Sequence, residues 1–333
     1  MTTYKDKHGI KVQAVSSDPS NPIEGQVWFN TTTNNLKYKA PQGTGSWATG
    51  GNLNSGRRSG TAFGLQTASI YAGGRFAPGP GRTDIVESYN GSSWTEVGDM
   101  PESLEHLAGA GKQTAGLVFG GIPETANTKT WNGSAWTEVA NLNTARSNLG
   151  GAGIQTSALA FGGEGGPSNT TIGNTESWNG SAWTEVADLN TIRENGGNAG
   201  ESNSSALFFG GGAEPSVPSG KTETESWNGS SWTEVGDLNL TAVYQSGCGT
   251  ATEALSMGRF HPSPSNWGTT EEYNGSSWSE VADMSSGRYF TSSGSGTQSA
   301  GLITGGQSGP GTTNMVNTEE FTKPSGVETI STS

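Results

Sequence analysis

The sequence Tyr89-Asn-Gly-Ser-Ser-Trp94-Thr-Glu-Val97 joins two short aromatic segments through an Asn-Gly pair. Asn-Gly between β-prone segments is a strong signal of a tight hairpin, because both residues tolerate the backbone angles of such turns. The stretch recurs with few changes around four later tryptophans, and a weaker copy precedes it. The tryptophans lie 42–49 residues apart and are predicted to be equivalent structural anchors: Trp47, Trp94, Trp136, Trp183, Trp232 and Trp278.

A second element precedes each strong copy of the hairpin. It consists of a segment of small residues and then an apolar segment that ends in Gly-Gly, as in residues 109–121 and 151–163. Each period therefore contains four short β-prone segments, which is the content of one four-stranded antiparallel blade. The period and its content predict an all-β fold, a single β-propeller. We expect the small residues to lie innermost, around a central channel where large side chains would collide.

The number of blades depends on the two ends of the chain. Residues 9–53 contain four candidate strands, and a degenerate copy near residue 325 has an aromatic residue and a glutamate but no tryptophan. We predict seven four-stranded blades within one domain of residues 1–333. In the alternative, six blades form, and the segment of Ser46 and Trp47 completes the last blade and links the chain ends. The approximate boundaries for seven blades are 9–53, 54–100, 101–142, 143–189, 190–238, 239–284 and 285–333.

Composition and charge argue against several function classes. The chain has 333 residues and a formal net charge of −13. Such a charge opposes binding to phosphate backbones and anionic lipid, so neither nucleic acid nor membrane insertion is expected. A single cysteine, Cys248, allows no intrachain disulfide and no multi-cysteine metal site. Residues 1–8 have no apolar core of signal-peptide length, which predicts synthesis in the cytoplasm.

No group of residues in the sequence predicts catalysis, a metal site or a cofactor. The three histidines, His8, His106 and His261, fall at different phases of the repeat and lack metal-ligand spacing. An arginine recurs before the first segment of most repeats, which favours a structural tie to backbone carbonyls or to a neighbouring glutamate. The recurring arginines are Arg57, Arg146, Arg193 and Arg288.

Binding residues on a repeat scaffold are expected where the repeats differ. The segments between Gly-Gly and the third strand vary most, and in a propeller they all emerge on one face. Residues 259–268 carry aromatic side chains that have no counterpart in the other repeats. Such side chains contact sugar rings or proteins; alternatively, the tryptophan of this segment packs on the rim of its own blade. The candidate contact residues are Phe260, His261, Trp267 and, in the first variable segment, Arg75.

The repeat, with an arginine before the first strand, Gly-Gly after the second and a tryptophan across a turn, resembles the kelch repeat. A narrower resemblance is to kelch-like virion proteins of bacteriophages, particularly marine ones. It rests on the stretch from Asp18 to Thr33, Asp-Pro-Ser-Asn-Pro-Ile-Glu-Gly-Gln-Val-Trp-Phe-Asn-Thr-Thr-Thr, and on the segments 141–146 and 319–322. The resemblance implies a tail-fibre, appendage or surface-decoration protein of the virion that acts in assembly or in attachment to a host glycan or protein.

The sequence is compatible with two other functions besides a virion role. Virion proteins commonly form symmetric homo-oligomers, and the partners implied are other virion proteins or host-surface molecules. The first alternative is a cellular kelch-type scaffold for protein interactions. The second is a carbohydrate-active enzyme, because the Asn-Gly-Ser-Ser-Trp turn is similar to the Asp-box of sialidases. An enzyme would require a non-repeating polar cluster at the channel, and the sequence alone predicts a protein that is not an enzyme.

Overall fold

The computed structural model describes residues 12–20, 26–39, 43–77, 79, 81–166, 170–213, 220–291, 294–309, 314–324 and 327–330. The chain divides into two compact units, Ser46–Thr322 and a smaller one of Met1–Gly45 with Lys323–Ser333. The regular secondary structure of the described residues consists of strands and one 3-10 turn at Pro264–Asn266. Within those residues, no helix has the length and apolar character required to cross a bilayer.

The larger unit contains six four-stranded antiparallel sheets, which we number as blades 1 to 6. Within each blade the strands are numbered from the inside outward. The strands are Thr61–Leu65, Ala68–Ala72, Val86–Tyr89 and Trp94–Glu96 in blade 1; Ala108–Lys112, Ala115–Phe119, Thr128–Trp131 and Trp136–Val139 in blade 2; Gly150–Ile154, Ser157–Phe161, Thr175–Trp178 and Trp183–Val186 in blade 3; Gly197–Ser202, Ser205–Phe209, Thr224–Trp227 and Trp232–Glu234 in blade 4; Ser246–Gly249, Ala254–Met257, Thr270–Tyr273 and Trp278–Glu280 in blade 5; and Ser295–Thr297, Ala300–Thr304, Thr318–Thr322 and Ser46–Thr49 in blade 6.

Blade 6 takes its outer strand from the start of the chain. Ser46–Thr49 pairs antiparallel with Thr318–Thr322, and Trp47 lies opposite Phe321. The first strands of the six blades contact one another in turn, and that of blade 6 contacts that of blade 1. The predicted β-propeller is thus confirmed, but the seven-blade arrangement is corrected to the six-blade alternative. The described strands of residues 9–53 do not form a blade together, because the Trp47 segment pairs with the last repeat and the other strands belong to a sheet of the smaller unit.

The hairpins between third and fourth strands depend on the asparagine side chain. In blade 1 the side-chain oxygen of Asn90 accepts hydrogen bonds from the backbone N–H groups of Ser92 and Ser93, both at 3.0 Å. Gly91 has a φ of 90°, whereas Asn90 has no positive φ. The turn thus uses a positive φ at the glycine, and the asparagine stabilises it as an Asx turn. The same bonds recur at Asn132, Asn179, Asn228 and Asn274.

The glycine after each second strand lets the next blade approach. A Cβ atom on Gly162 of blade 3 would lie 2.5 Å from the backbone oxygen of Arg193, at the start of blade 4. The close neighbour of this glycine is thus the backbone that leads into the following blade. Equivalent distances of 2.5–2.8 Å occur at Gly73, Gly120, Gly210, Gly258 and Gly305.

The tryptophan of each fourth strand joins its blade to the preceding one. The indole N–H of Trp183 donates to Thr128 Oγ1 of blade 2 at 3.0 Å, and its ring lies 4.9 Å from that of Phe119. Of the six predicted anchors, Trp47 and Trp136 are half-buried. The buried ones are Trp94, Trp183, Trp232 and Trp278, each of which bonds to a threonine of the preceding blade.

Most blades bury an arginine against a glutamate of the third strand. In blade 4, Arg193 Nη2 lies 2.8 Å from Glu225 Oε1, and Nη1 donates to the backbone oxygens of Gly210 and Glu223. Glu225 also accepts a hydrogen bond from the backbone N–H of Asn190 at 2.8 Å. The structural tie predicted for the recurring arginine is confirmed. Equivalent pairs are Arg57–Glu87, Arg146–Glu176 and Arg288–Glu319.

Two blades without the recurring arginine build the ion pair differently. Blade 5 has Ala242 at that position, and Arg259, which replaces the second glycine of Gly-Gly, reaches Glu271 at 2.9 Å. Blade 2 reverses the charges, because Lys129 occupies the glutamate position and pairs with Glu102. A charge pair with a buried cation at this place is therefore maintained even where the sequence pattern breaks, although Glu102 of blade 2 is half-buried.

The smaller unit has a four-stranded sheet of its own. Gln13–Val15 pairs parallel with Val27–Asn30, which pairs antiparallel with Asn35–Lys39, and the last neighbour is Val327–Thr329. Asp18 accepts hydrogen bonds from the side chains of Lys37 (2.6 Å), Asn30 (2.7 Å) and Trp28 (2.9 Å). These hydrogen bonds lower the pKa of Asp18 to about 2, and the one from Lys37 has the largest effect. Part of the stretch that carries the bacteriophage resemblance thus forms a polar centre of this unit.

Candidate functional site at the channel mouth

The first strands enclose a narrow channel, as the small residues predicted. The cavity has a volume of about 90 Å³, and residues from all six first strands line it. Cys248 lies there in a small-residue position, and burial raises the pKa of its thiol to about 12. A thiol with such a pKa stays protonated and is a poor nucleophile.

At one end of the channel a closed ring of hydrogen bonds links the six blades. One residue before each first strand has a φ of 55–58°, in the left-handed region. Each donates its backbone N–H to the carbonyl oxygen of the equivalent residue in the preceding blade, over 2.7–3.0 Å, and Ser59 closes the ring by donating to Phe290. We call these the ring residues: Ser59, His106, Asn148, Asn195, Tyr244 and Phe290.

The ring residues share a backbone geometry but differ in side-chain chemistry. The left-handed region costs a residue with a Cβ atom about 1–2 kcal/mol, and bulky residues such as tyrosine and phenylalanine are rare there. The chain has 53 glycines, yet none occupies a ring position. Strained backbone positions cluster where a protein binds or reacts, so the ring side chains are candidates for recognition.

A second layer of varied side chains surrounds the ring. In each of five blades, the residue before the ring residue pairs with the one after the second-strand glycines, for example Glu105 with Ile122, and blade 3 has the same pairing within a small sheet. Residues directly opposite each other on paired strands project on the same face. We call the ring residues and these paired residues together the mouth. Three blades add a third paired residue, which gives Arg58, Arg75 and Arg82 in blade 1, Ser147, Glu164 and Thr171 in blade 3, and Tyr289, Gln307 and Asn314 in blade 6.

Two of the four candidate contact residues belong to the mouth. Phe260, half-buried, pairs with Val243 in blade 5, and Arg75 is paired in blade 1. Trp267 is only 7% exposed, and its ring lies 5.2 Å from that of Tyr289. Its position fits the packing alternative, but the ring packs on the segment that enters blade 6 as well as lying at its own blade. His261 lies beside it, and its Nδ1 accepts a hydrogen bond from the Ser263 backbone N–H at 3.0 Å.

Sequence reasoning missed the ring residues. A signal was available, because four of them follow the recurring arginine by two positions and differ from repeat to repeat, as Ser59 follows Arg57 and Phe290 follows Arg288. The variable segments between Gly-Gly and the third strand at residues 75–84, 164–173, 213–222 and 307–317 lie partly outside the described residues, and His8 lies wholly outside them.

His106 is the ring residue with a strongly shifted pKa. Burial lowers the pKa of its imidazole to about 4; Glu105 opposes this shift, and the positive charges of Arg58 and Arg75 favour it. The imidazole is therefore neutral in the folded protein at physiological pH.

A His106→Asn variant is expected to change the pH dependence of stability. The pKa of His106 is lower in the folded protein than its ordinary value of 6.5, so its contribution to stability is present above pH 6.5 and is lost as the pH falls towards 4. Asparagine occupies the equivalent ring position in blades 3 and 4 and does not titrate. Equilibrium unfolding measured across this range should show a smaller loss for the variant than for the wild type. An unchanged pH dependence in His106→Asn would contradict the account.

Metal binding finds no support among the residues that the structure describes. No group of three or more histidine, cysteine, aspartate or glutamate side chains lies together there in a way that could hold an ion.

Comparison with known proteins gives the fold. No protein-family model and no curated protein matches the sequence. The solved structure of YjhT superimposes with a TM-score of 0.66, covering 82% of this chain and 97% of the other. The chain is similar in fold to YjhT. Only 10% of the aligned residues are identical, so the likeness to YjhT shows the β-propeller fold and carries no residue of the mouth with it.

Proposed function

We propose that the chain is a non-enzymatic recognition protein of a bacteriophage virion, in a tail fibre or other appendage, which attaches to a host-surface molecule through the mouth. One observation carries the proposal: six positions share one strained backbone geometry and present five different types of side chain, of which only asparagine occurs twice. The fold accounts for the shared backbone, and recognition accounts for the varied side chains.

The virion part of the proposal rests on sequence resemblance. The stretch around Asp18 resembles the openings of phage structural proteins, and in the smaller unit it contributes Asp18, Trp28 and Asn30 to one hydrogen-bonded cluster. A structural role in that unit fits a segment kept for assembly, in a particle where symmetric copies of the chain contact other virion proteins.

The non-enzymatic part of the proposal rests on how the titratable groups of the mouth are engaged. General acid–base catalysis requires groups that can exchange a proton with substrate near the working pH. His106 is neutral, with a pKa of about 4, and Glu105 is buried with its carboxylate held by Arg75 at 3.0 Å. Both groups are placed to shape a binding surface.

A carbohydrate-active enzyme is a second candidate, because the mouth is the non-repeating polar cluster that such an enzyme requires. Its arginines, Glu105 and His106 lie within one part of the mouth. Release of sugar from chromogenic glycosides separates the two candidates. We expect no release above the uncatalysed rate, and turnover that is lost in a Glu105→Gln variant would favour the enzyme.

Two measurements test the proposed function. Mass spectrometry of purified phage particles should find the chain as a stoichiometric component, and the purified chain should bind cells of the host that yields those particles. A Phe260→Ala variant, changed at the mouth, should bind the cells less well. A Ser92→Ala control, changed in an exposed hairpin of blade 1, should bind as the wild type does. Absence from the particles contradicts the virion role, and equal binding by Phe260→Ala contradicts the mouth as the contact surface.

A further inference from the structure

We propose that the mouth binds an acidic saccharide, a sugar ring with a carboxylate or sulfate group, across blades 5, 6 and 1. The inference rests on the proposed function and specifies the chemical class of the host-surface ligand. It is argued from the arginines, from the aromatic rings beside them and from buried acceptors without partners.

The arginines of the chain divide into two groups. Five of the eight are buried in blade ion pairs: Arg57, Arg146, Arg193, Arg259 and Arg288. The remaining three, Arg58, Arg75 and Arg82, all lie at the mouth in blade 1. Every arginine that the blades do not use for their own stability is thus concentrated at one place.

The three mouth arginines lie side by side, and the repulsion between their charges destabilises the fold. Arg58 pairs with Arg75 through two backbone hydrogen bonds of 2.8 and 3.1 Å, and Arg75 lies opposite Arg82. Like charges directly opposite each other on one face of a sheet are destabilising. The acidic partner in contact with them is Glu105, which lies 3.0 Å from Arg75 and 3.6 Å from Arg82. Three positive charges against one, in a chain of net charge −13, form a patch complementary to an anion.

The guanidinium groups are available to a ligand. The side chains of Arg75 and Arg82 are 42% and 37% exposed. Among the described residues, the side-chain hydrogen bonds of the three arginines to protein are one from Arg58 to Gln307 and one from Arg75 to Glu105. Glu105 shows that a carboxylate fits this site, and the remaining N–H groups can bind a second one through charge-assisted hydrogen bonds.

Aromatic rings adjoin the arginine patch on the side of blades 5 and 6. The guanidinium of Arg58 lies 5.0 Å above the ring of Phe290, which lies 4.2 Å from that of Tyr244. Phe260 and Tyr289, whose rings are 5.3 Å apart, continue the series. The apolar face of a sugar ring packs on such rings while its acidic group reaches the neighbouring guanidinium groups.

Buried hydrogen-bond acceptors at the ring can bind the hydroxyl groups of a saccharide. Gln245 is fully buried, and its Oε1, like the Oδ1 of Asn148, has no hydrogen-bond partner among the described residues. Both residues line a cavity of about 20 Å³ beside Tyr244 and Phe290. An unpaired buried acceptor is costly, and a hydroxyl donor would remove that cost.

The size of this cavity favours a saccharide over a peptide. A volume of about 20 Å³ has room for a water-sized group, such as a hydroxyl, and none for an anchoring side chain. A ligand must therefore lie across the rings and the arginines instead of inserting.

Calorimetric titration of the full chain tests the inference with four probes: an oligogalacturonate, a galactose oligosaccharide bearing sulfate, the same galactose oligosaccharide without it, and an acidic peptide. We expect binding of at least one acidic saccharide, weakened by added salt, and much weaker binding of the neutral one. Arg75→Ala and Arg82→Ala should each lower the affinity roughly 10–100-fold, the equivalent of one charge-assisted hydrogen bond. Arg75→Lys keeps the charge and should recover part of the affinity, and Lys112→Ala, an exposed cation in a hairpin of blade 2, should bind as the wild type does.

Equal affinity for acidic and neutral saccharides, or arginine variants that bind as the wild type does, would overturn the inference, as would binding of the acidic peptide in place of either acidic saccharide. The outcomes of these experiments also distinguish failure of this inference from failure of the proposed function. A chain that is found in particles and binds host cells but no acidic saccharide keeps the proposed function and loses this inference. A chain that binds an acidic saccharide through its arginines but is absent from particles keeps the inference and loses the virion role.

Discussion

Replacement of Arg193 by alanine is expected to lower the free energy of unfolding by about 3–5 kcal/mol, because it leaves a buried carboxylate without its counter-ion. Both partners of the pair are buried, with Arg193 0% and Glu225 1–2% exposed. The variant also loses the hydrogen bonds of the guanidinium to the backbone oxygens of Gly210 and Glu223. Urea-induced unfolding of wild type and variant measures the difference.

Blade 5 offers a matched control for this prediction. Arg259→Gly alone should be destabilising to a similar degree, since it strips the cation from Glu271. Adding Ala242→Arg to that variant restores both the Gly-Gly pair and the arginine position of the other blades, and most of the lost stability should return. An Arg259→Gly variant as stable as the wild type would contradict the requirement for a buried cation.

Replacement of Trp178 by alanine is expected to lower the free energy of unfolding by about 3–5 kcal/mol, because removal of a fully buried indole leaves a cavity that the blade cannot fill. Trp178 is 0% exposed in blade 3, donates its indole N–H to the backbone oxygen of Gln155 at 2.9 Å and lies 5.3 Å from the ring of Trp183. Chemical denaturation followed by tryptophan fluorescence or circular dichroism measures the loss.

Two further variants identify burial as the cause. Trp178→Tyr should cost less than about 1.5 kcal/mol, because it retains an aromatic ring and tyrosine occupies the same place in blades 1 and 5, at Tyr89 and Tyr273. Trp136→Ala removes a half-buried ring and should cost less than Trp178→Ala. Equal losses for the two alanine variants would show that burial is not the deciding quantity.

The repeat itself could be predicted from the sequence, because each blade forms from local contacts. The Asn-Gly turns, the small first strands and the apolar second strands all lie within one period, and each recurs in the structure. The recurring arginine could be assigned to a structural tie for the same reason, since Arg193 and Glu225 belong to one blade.

What the sequence could not decide depends on contacts between distant segments. The Trp47 segment has the pattern of an outer strand in either arrangement, and only its pairing with Phe321 closes six blades instead of seven. Arg259 stands outside the arginine pattern, yet it reaches the same kind of glutamate. Tyr244 and Phe290 carry no residue-type signal for a positive φ, because bulky residues rarely adopt one, whereas His106, Asn148 and Asn195 are of types enriched there. Here the closed ring of hydrogen bonds imposes the backbone.

Closure of the ring by Ser46–Thr49 places blade 6 beside blade 1, and the proposed binding surface depends on that neighbourhood. Ser46 and Thr322 are exposed and lie directly opposite each other in register. Opposed residues of paired strands have Cα atoms close enough for a disulfide. The native Cys248 is buried with a raised pKa and should not compete.

The most direct test is therefore oxidation of a Ser46→Cys/Thr322→Cys variant, followed by peptide mapping by mass spectrometry. The account predicts a rapid, reductant-sensitive disulfide within one chain between positions 46 and 322. A Ser46→Cys/Ser279→Cys control, with its second thiol on the outer strand of blade 5, should form none. Absence of the 46–322 link, or its formation no faster than in the control, would contradict the six-bladed ring.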